Sequence, residues 1–216
     1  MRIPGNWRGM GIAAVMALGV LSGPASADRL VLAPSGLITI PNSAKIEFAS
    51  TFKRPTDYMG WVSVGLPGSL NGFELEAERF EEGGRRRQTG SIQYSFTGNA
   101  FTNIAPAISV GIRDVANEGP EGRAFFAAAS KTFALPERLE RTFRELRVDA
   151  GYGTSHIGGA YIGVQSKLSF GLTLSAEALA RRINASAAFP IGKHFDLRAY
   201  TLNGHVFYGA SLLLVK

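Results

Sequence analysis

The stretch Gly72-Phe73-Glu74-Leu75-Glu76-Ala77-Glu78-Arg79-Phe80 alternates apolar and charged residues over most of its length. Successive side chains of an extended strand point to opposite faces, so Phe73, Leu75 and Ala77 share one face and Glu74, Glu76 and Glu78 the other. A helix of 3.6-residue period would mix the two sets. The segment therefore predicts a β-strand with one apolar face and one face lined by three carboxylates.

The same period of two recurs on both sides of it. Upstream, Lys45 to Lys53 sets Ile46, Phe48 and Phe52 against Glu47, Thr51 and Lys53, and Tyr58 to Leu66 carries Trp61. Downstream, Arg87 to Phe96 sets Ile92, Tyr94 and Phe96 against Ser91, Gln93 and Ser95, and Ala107 to Asp114 sets Ile108, Val110 and Ile112 against Ser109 and Arg113. Arg123 to Phe133 is rich in alanine and phenylalanine on both faces, which leaves its register open. Leu146 to Tyr152, Ala160 to Lys167, Leu172 to Ala178, Ile183 to Phe189, His194 to Leu202 and His205 to Val215 complete the series.

Pro55-Thr56-Asp57, Pro67-Gly68-Ser69, Gly192-Lys193 and Asn203-Gly204 have the length and the residues of tight turns, so consecutive strands are antiparallel neighbours. One connection is longer. In Pro136 to Glu145, Leu135, Leu139 and Phe143 stand at four-residue steps among charges, the pattern of a short amphipathic helix that plugs an opening or caps an edge.

The first 27 residues differ from the rest. Arg2 and Arg8 precede an apolar run from Gly11 to Leu21 and then Ala25-Ser26-Ala27, which predicts a signal peptide over 1–27, cut after Ala27. A membrane anchor is the alternative, but the run is short for a bilayer span and Gly23-Pro24 follows it. Residues 28–44 are then expected as a periplasmic N-terminal segment, and 45–216 as the β domain.

The 216 residues carry a net charge of +6, with 26 glycines and no cysteine. No disulfide framework can hold the exported fold, so burial and a continuous hydrogen-bond ladder must. Without Arg2 and Arg8 the excess of positive charge is mild and gives no footprint for nucleic acid. Arg85-Arg86-Arg87 is the one dense basic run; it sits beside Glu81-Glu82-Gly83-Gly84 and reads as a solvated loop tip or as a contact for acidic glycan or lipid phosphate.

A soluble sandwich also alternates, so the two faces must decide between sandwich and barrel. The polar face is mixed in charge: Glu74, Glu76 and Glu78 on one strand, Arg87, Arg113, Lys131, Arg147, Lys167 and Arg198 on others. Such a balance suits a confined lumen, where charges must pair or be hydrated. The apolar face is nearly continuous, with Tyr58, Trp61, Tyr94, Tyr152 and Tyr208 placed as aromatic girdles against lipid. The expectation is an antiparallel up-and-down transmembrane β-barrel of about 12 strands (10–14) in the outer membrane of a Gram-negative bacterium. Glu74, Glu76, Glu78, Arg113, Lys131, Arg147, Lys167 and Arg198 are its candidate lumenal charges. The ending Leu212-Leu213-Leu214-Val215-Lys216 departs from the aromatic last residue common in such barrels.

Pro34-Ser35-Gly36-Leu37-Ile38-Thr39-Ile40-Pro41-Asn42-Ser43-Ala44, then Gly111-Ile112-Arg113-Asp114, Ala129-Ser130-Lys131-Thr132-Phe133 and Gly151-Tyr152-Gly153, resemble YjbH-like exopolysaccharide proteins. The resemblance implies a non-enzymatic outer-membrane barrel that supports exopolysaccharide secretion or surface assembly. It also implies contact with outer-membrane lipid, with polysaccharide and with other export proteins, and it supplies no catalytic residue. A general small porin or structural barrel is the alternative, and a lipid-modifying enzyme a further one.

Residue chemistry points the same way. His156 follows Ser155 directly, and adjacent strand residues face opposite ways, which is poor geometry for a nucleophile and its base. His194 and His205 fall near strand ends. There is no Gly-x-Ser-x-Gly elbow, metal-spaced histidine pair or phosphate-cradling loop, so no cofactor or metal is expected. The Glu74, Glu76, Glu78 ladder reads either as lumenal charge paired with arginines of neighbouring strands or as a cation or sugar site.

Overall fold

The structure, a computed structural model, describes residues 29–52, 56–66, 72–96, 105–119 and 122–215. The expected signal peptide, Asp28 and the Pro67-Gly68-Ser69 turn lie outside the described residues. Twelve antiparallel strands form one closed barrel: β1 (Ser43–Ser50), β2 (Tyr58–Leu66), β3 (Gly72–Glu82), β4 (Arg85–Ser95), β5 (Ala107–Arg113), β6 (Ala124–Phe133), β7 (Phe143–Gly153), β8 (Gly159–Leu168), β9 (Thr173–Leu179), β10 (Arg182–Pro190), β11 (Phe195–Leu202) and β12 (His205–Val215). Each strand pairs with its sequence neighbours, and β12 closes on β1 from Ser43↔Val215 to Ser50↔Tyr208. Closure leaves no free edge, which satisfies the backbone in an apolar surrounding.

The faces are inverted relative to a soluble protein. Every strand exposes an aliphatic or aromatic side chain on the outer wall, from Ile46, Val62, Phe73 and Ile92 round to Ile183, Leu197 and Val206. Lys45, Glu47, Arg147, Asp149 and Glu177 are buried inside. A soluble sandwich buries the first set and solvates the second, so the inversion excludes it. An apolar wall this extensive fits an outer-membrane barrel in general. No helix among the described residues is long and apolar enough to cross a membrane.

Aromatics gather toward both ends of the wall. At the end where β1 starts and β12 finishes, Phe73 and Tyr94 lie 4.7 Å apart and Tyr94 and Phe96 5.0 Å apart; at the other, Phe48 stacks on Tyr58 at 6.1 Å and Phe52 meets Tyr208 at 4.7 Å. Trp61 departs from the expected girdle: it lies on the opposite parity of β2 from Tyr58 and Val62, and is buried in the lumen. The expected amphipathic helix shrinks to a single turn, α1 (Glu137–Glu140), because Phe143 is drawn into β7 and the chain pairs with β8 from there.

The larger departure is at the N-terminal side. Residues 29–42, expected ahead of the barrel, run inside it, and β1 begins at Ser43. A β1 start at Ser43 rather than Lys45 follows from the pairing of Ser43 and Ala44 with both β2 and β12. Asn42, at φ +61°, turns the chain out of the lumen into β1, a conformation asparagine tolerates.

Candidate functional site

The barrel interior is a site already filled by the chain's own residues 29–42, here termed the strap. The strap has one charge, Arg29, and an apolar, non-alternating run, Leu30 to Pro41, that can neither pair as a two-faced strand nor remain in water at low cost. It is buried from Arg29 to Thr39 except at the half-buried Leu32.

Its first part seals the end opposite the start of β1 and the end of β12. Leu30 and Ala33 pack with Ala124, Phe126, Ala128, Ile157, Tyr161 and Leu179, and Val31 packs with Ala49, Met59, Tyr200, Leu202 and Phe207. Gly163 on β8 is required here, since a Cβ would occupy the space of the Leu30 side chain. Behind this apolar layer, three consecutive amides form a cradle for one carboxylate. The N–H groups of Val31, Leu32 and Ala33 donate to Glu177 at 2.9, 2.9 and 2.8 Å, and Asn184 Nδ2 donates to the same group at 2.9 Å. Consecutive amides of this kind form an anion nest, and here the wall supplies the anion.

The middle of the strap is fixed by short polar groups. Ser35 Oγ donates to Asp149 Oδ1 at 2.8 Å, the Gly36 N–H donates to Ser130 Oγ at 2.7 Å, and Ser130 in turn donates to Asp149. The Ser35 carbonyl accepts from Gln93 Nε2 at 2.6 Å and from Ser109 Oγ at 2.9 Å. Gly36 passes so close to β5 and β6 that a Cβ would strike the Ala107 carbonyl. Further on, the Thr39 N–H donates to Glu74, Thr39 and Ser63 hydroxyls meet at 2.6 Å, and the Asn42 N–H donates to the Gly65 carbonyl at 2.9 Å. Burying backbone without partners costs about 1–3 kcal/mol per group, and these wall side chains remove that cost.

The charged section lies around Arg29. Its Nη1 donates to Glu78 at 2.6 Å and Glu76 at 3.2 Å, and its guanidinium lies 4.6 Å from the Trp61 ring centroid. The carboxylates of Glu76 and Glu78 offset the cost of burying the Arg29 charge. Arg87 reaches the other oxygen of Glu78 at 2.6 Å. A second group joins Lys45 to Glu47 at 3.7 Å and Arg198 to Glu47 at 3.1 Å, with Tyr200 donating to Glu47. A third is Arg147 with Asp149 at 2.9 Å.

Of the eight candidate lumenal charges, Glu76, Glu78, Arg147 and Arg198 enter these groups, and Glu74 holds the Thr39 amide of the strap. Arg113 faces inward beside Ser91 and lines, with Arg29, Ser35, Glu74, Glu76 and Gln93, a cavity of about 10 Å3, room for one water. Lys167 faces inward nearer the rim, in register with Thr173. Lys131 does not face the lumen. Its register with Val148 places it on the outer wall with Phe125, Ala127 and Ala129, because Ser130 is the inward residue that holds the strap. Alanine on both faces of β6 hides that parity in the sequence.

Sequence reasoning did not single out Arg29, Ser35, Asp149 and Glu177 as site residues. The available signal was the strap itself: an apolar, nearly uncharged segment with Pro34, Gly36 and Pro41 that follows no strand period yet demands burial. His156 Nδ1 lies 3.3 Å from the Gly122 carbonyl oxygen, outside the lumenal network. Among the described residues no cluster of three or more histidine, aspartate or glutamate side chains is arranged for a metal ion. No family model, no curated protein and no solved structure matches the chain.

Proposed function

We propose that this protein is a non-enzymatic outer-membrane barrel that supports exopolysaccharide secretion or surface assembly from its walls and rims, with a sealed lumen. The observation that carries the reading is the strap: its backbone is held by Glu74, Gln93, Ser109, Ser130 and Glu177 from five strands, and the cavity beside it has room for one water. A strap seated in this way supports a lumen that does not carry polymer. The residues that resemble YjbH-like proteins, Pro34 to Ala44, are largely the ones that seat the strap, which links the resemblance to a physical role. The non-enzymatic reading rests on the lumenal polar groups being engaged in holding the strap and one another.

Deletion of the gene, with surface polysaccharide quantified, tests the role; unchanged polysaccharide removes it. Membrane fractionation with a heat-modifiability gel tests the location, since a folded barrel migrates differently when unheated. A general porin is the competing reading, and it requires steady ion conductance in a planar bilayer.

A further inference from the structure

The strands paired around β3 form three rows across the outer wall near the β3–β4 hairpin. The first row is Ile46, Val62, Ala77 and Gly90; the second Phe48, Gly60, Arg79 and Gln88; the third Ser50, Tyr58, Glu81 and Arg86. Read along β3, the wall passes from Phe73, Leu75 and Ala77 to Arg79 within two residues, the change expected where hydrocarbon gives way to headgroups.

Two features at this boundary are unusual. Arg79 has no carboxylate contact among the described side chains; its guanidinium instead lies 5.5 Å from the ring centroid of Tyr58, which fixes it against the wall. Beside it, Arg86 meets Glu81 through Nε at 3.3 Å while its side chain stays 60% exposed. Immediately below and beside the arginines the wall is bare. Gly60, Ala77 and Gly90 form a shallow depression flanked by Phe48 and Ile92. Nothing inside the protein requires glycine at two of these positions: a Cβ on Gly60 would come no nearer than 4.0 Å to the Arg79 carbonyl, and one on Gly90 no nearer than 3.9 Å to the Glu76 carbonyl. At Gly36 the wall, and at Gly163 the strap, excludes a side chain, whereas at Gly60 and Gly90 the space is open on the outside.

We propose that this patch binds one lipid with an anionic phosphate headgroup, Arg79 and Arg86 taking the phosphate and the depression over Gly60, Ala77 and Gly90 taking an acyl chain. The proposal rests on the outer-membrane reading. Guanidinium groups suit phosphate because they present several donors in a plane, and the stacked Tyr58 orders one of them in advance. Charge complementarity selects an anionic headgroup over a zwitterionic one, since only one carboxylate, Glu81, stands among the outward residues of these rows.

The test uses the full chain reconstituted in nanodiscs of phosphatidylcholine with a minor fraction of phosphatidic acid, and native mass spectrometry to count the lipids retained. Wild type is expected to retain one phosphatidic acid. Arg79→Gln and Arg86→Gln are each expected to weaken retention about fivefold. Gly90→Leu should weaken it comparably without any change in charge, while Arg181→Gln, an exposed arginine on another hairpin of the same rim, should leave it intact. Equal retention by wild type and the arginine variants overturns the site, as does an equal loss in Arg181→Gln or no loss in Gly90→Leu. Displacement of the lipid by excess inorganic phosphate assigns the arginines to a free anion and overturns the lipid. Failure of the protein to insert at all overturns the outer-membrane reading and this proposal together, whereas insertion with equal retention overturns only the site.

Discussion

Arg29 Nη1 and Glu78 Oε2 meet at 2.6 Å inside the barrel, 49 residues apart in sequence, and the contact ties the strap to the carboxylate ladder of β3. Glu78 also receives Arg87, so one buried carboxylate holds a cation from the strap and one from the wall. Buried pairs of this kind contribute little net stability when intact, but breaking one strands a charge away from water.

Arg29→Met is therefore expected to destabilise the folded barrel by about 3–5 kcal/mol, because Glu76 and Glu78 lose their shared partner. Combining it with Glu76→Gln should recover part of that loss. Urea unfolding in detergent, followed by the unheated gel shift, gives the measurement. Additive single and double effects would show that the groups do not act as a unit.

Glu177→Ala removes the acceptor of three strap amides and of Asn184 at once. The strap should then leave its seat part of the time. In planar bilayers wild type is expected to be silent and Glu177→Ala to show brief openings, with protease cutting within 30–40 that wild type resists. A silent Glu177→Ala barrel with an intact strap would mean that the apolar layer around Leu30 and Val31 seals the lumen unaided.

Two glycines of the same barrel should answer alanine differently. Gly36→Ala drives a methyl into the Ala107 carbonyl and is expected to cost about 1–3 kcal/mol, whereas Gly60→Ala meets nothing nearer than the Arg79 carbonyl at 4.0 Å and should be neutral. Thermal unfolding in detergent compares them directly; equal costs would place Gly36 away from the wall.

Trp61 reports which way β2 faces. The sequence has two tryptophans, Trp7 and Trp61, so in a chain cut after Ala27 all indole emission comes from Trp61. Lumenal burial beside Arg29 and Lys45 predicts weak quenching by brominated acyl chains. Strong quenching would instead put Trp61 against lipid.

The strand series was legible because alternation is a local property. Tyr58 to Leu66 and His205 to Val215 were read to their final residues, and the other strands to within three at each end. Failures came where both faces carry similar residues or where a segment has no period. On β6, alanine and phenylalanine on both sides left Lys131 free to be placed on either wall, and the strand's register is set by Ser130 and its neighbours on β5 and β7. Along 29–42 there was no alternation to read, and the wall side chains that hydrogen-bond Arg29 to Thr39 lie between 24 and 146 residues away.

The sequence by itself determined a β-chain of about twelve mostly alternating strands, joined as neighbours, with one apolar and one charged face, because a period of two assigns each side chain to a face wherever the strand lies. Only the tertiary structure decided what the charged face encloses. Closing the sheet brings Glu177, Ser130, Gln93 and Glu74 from distant strands to positions where they satisfy the amides and carbonyls of one apolar segment. That choice depends on long-range geometry: a buried backbone group needs a partner wherever one is within about 3 Å, irrespective of its distance along the chain.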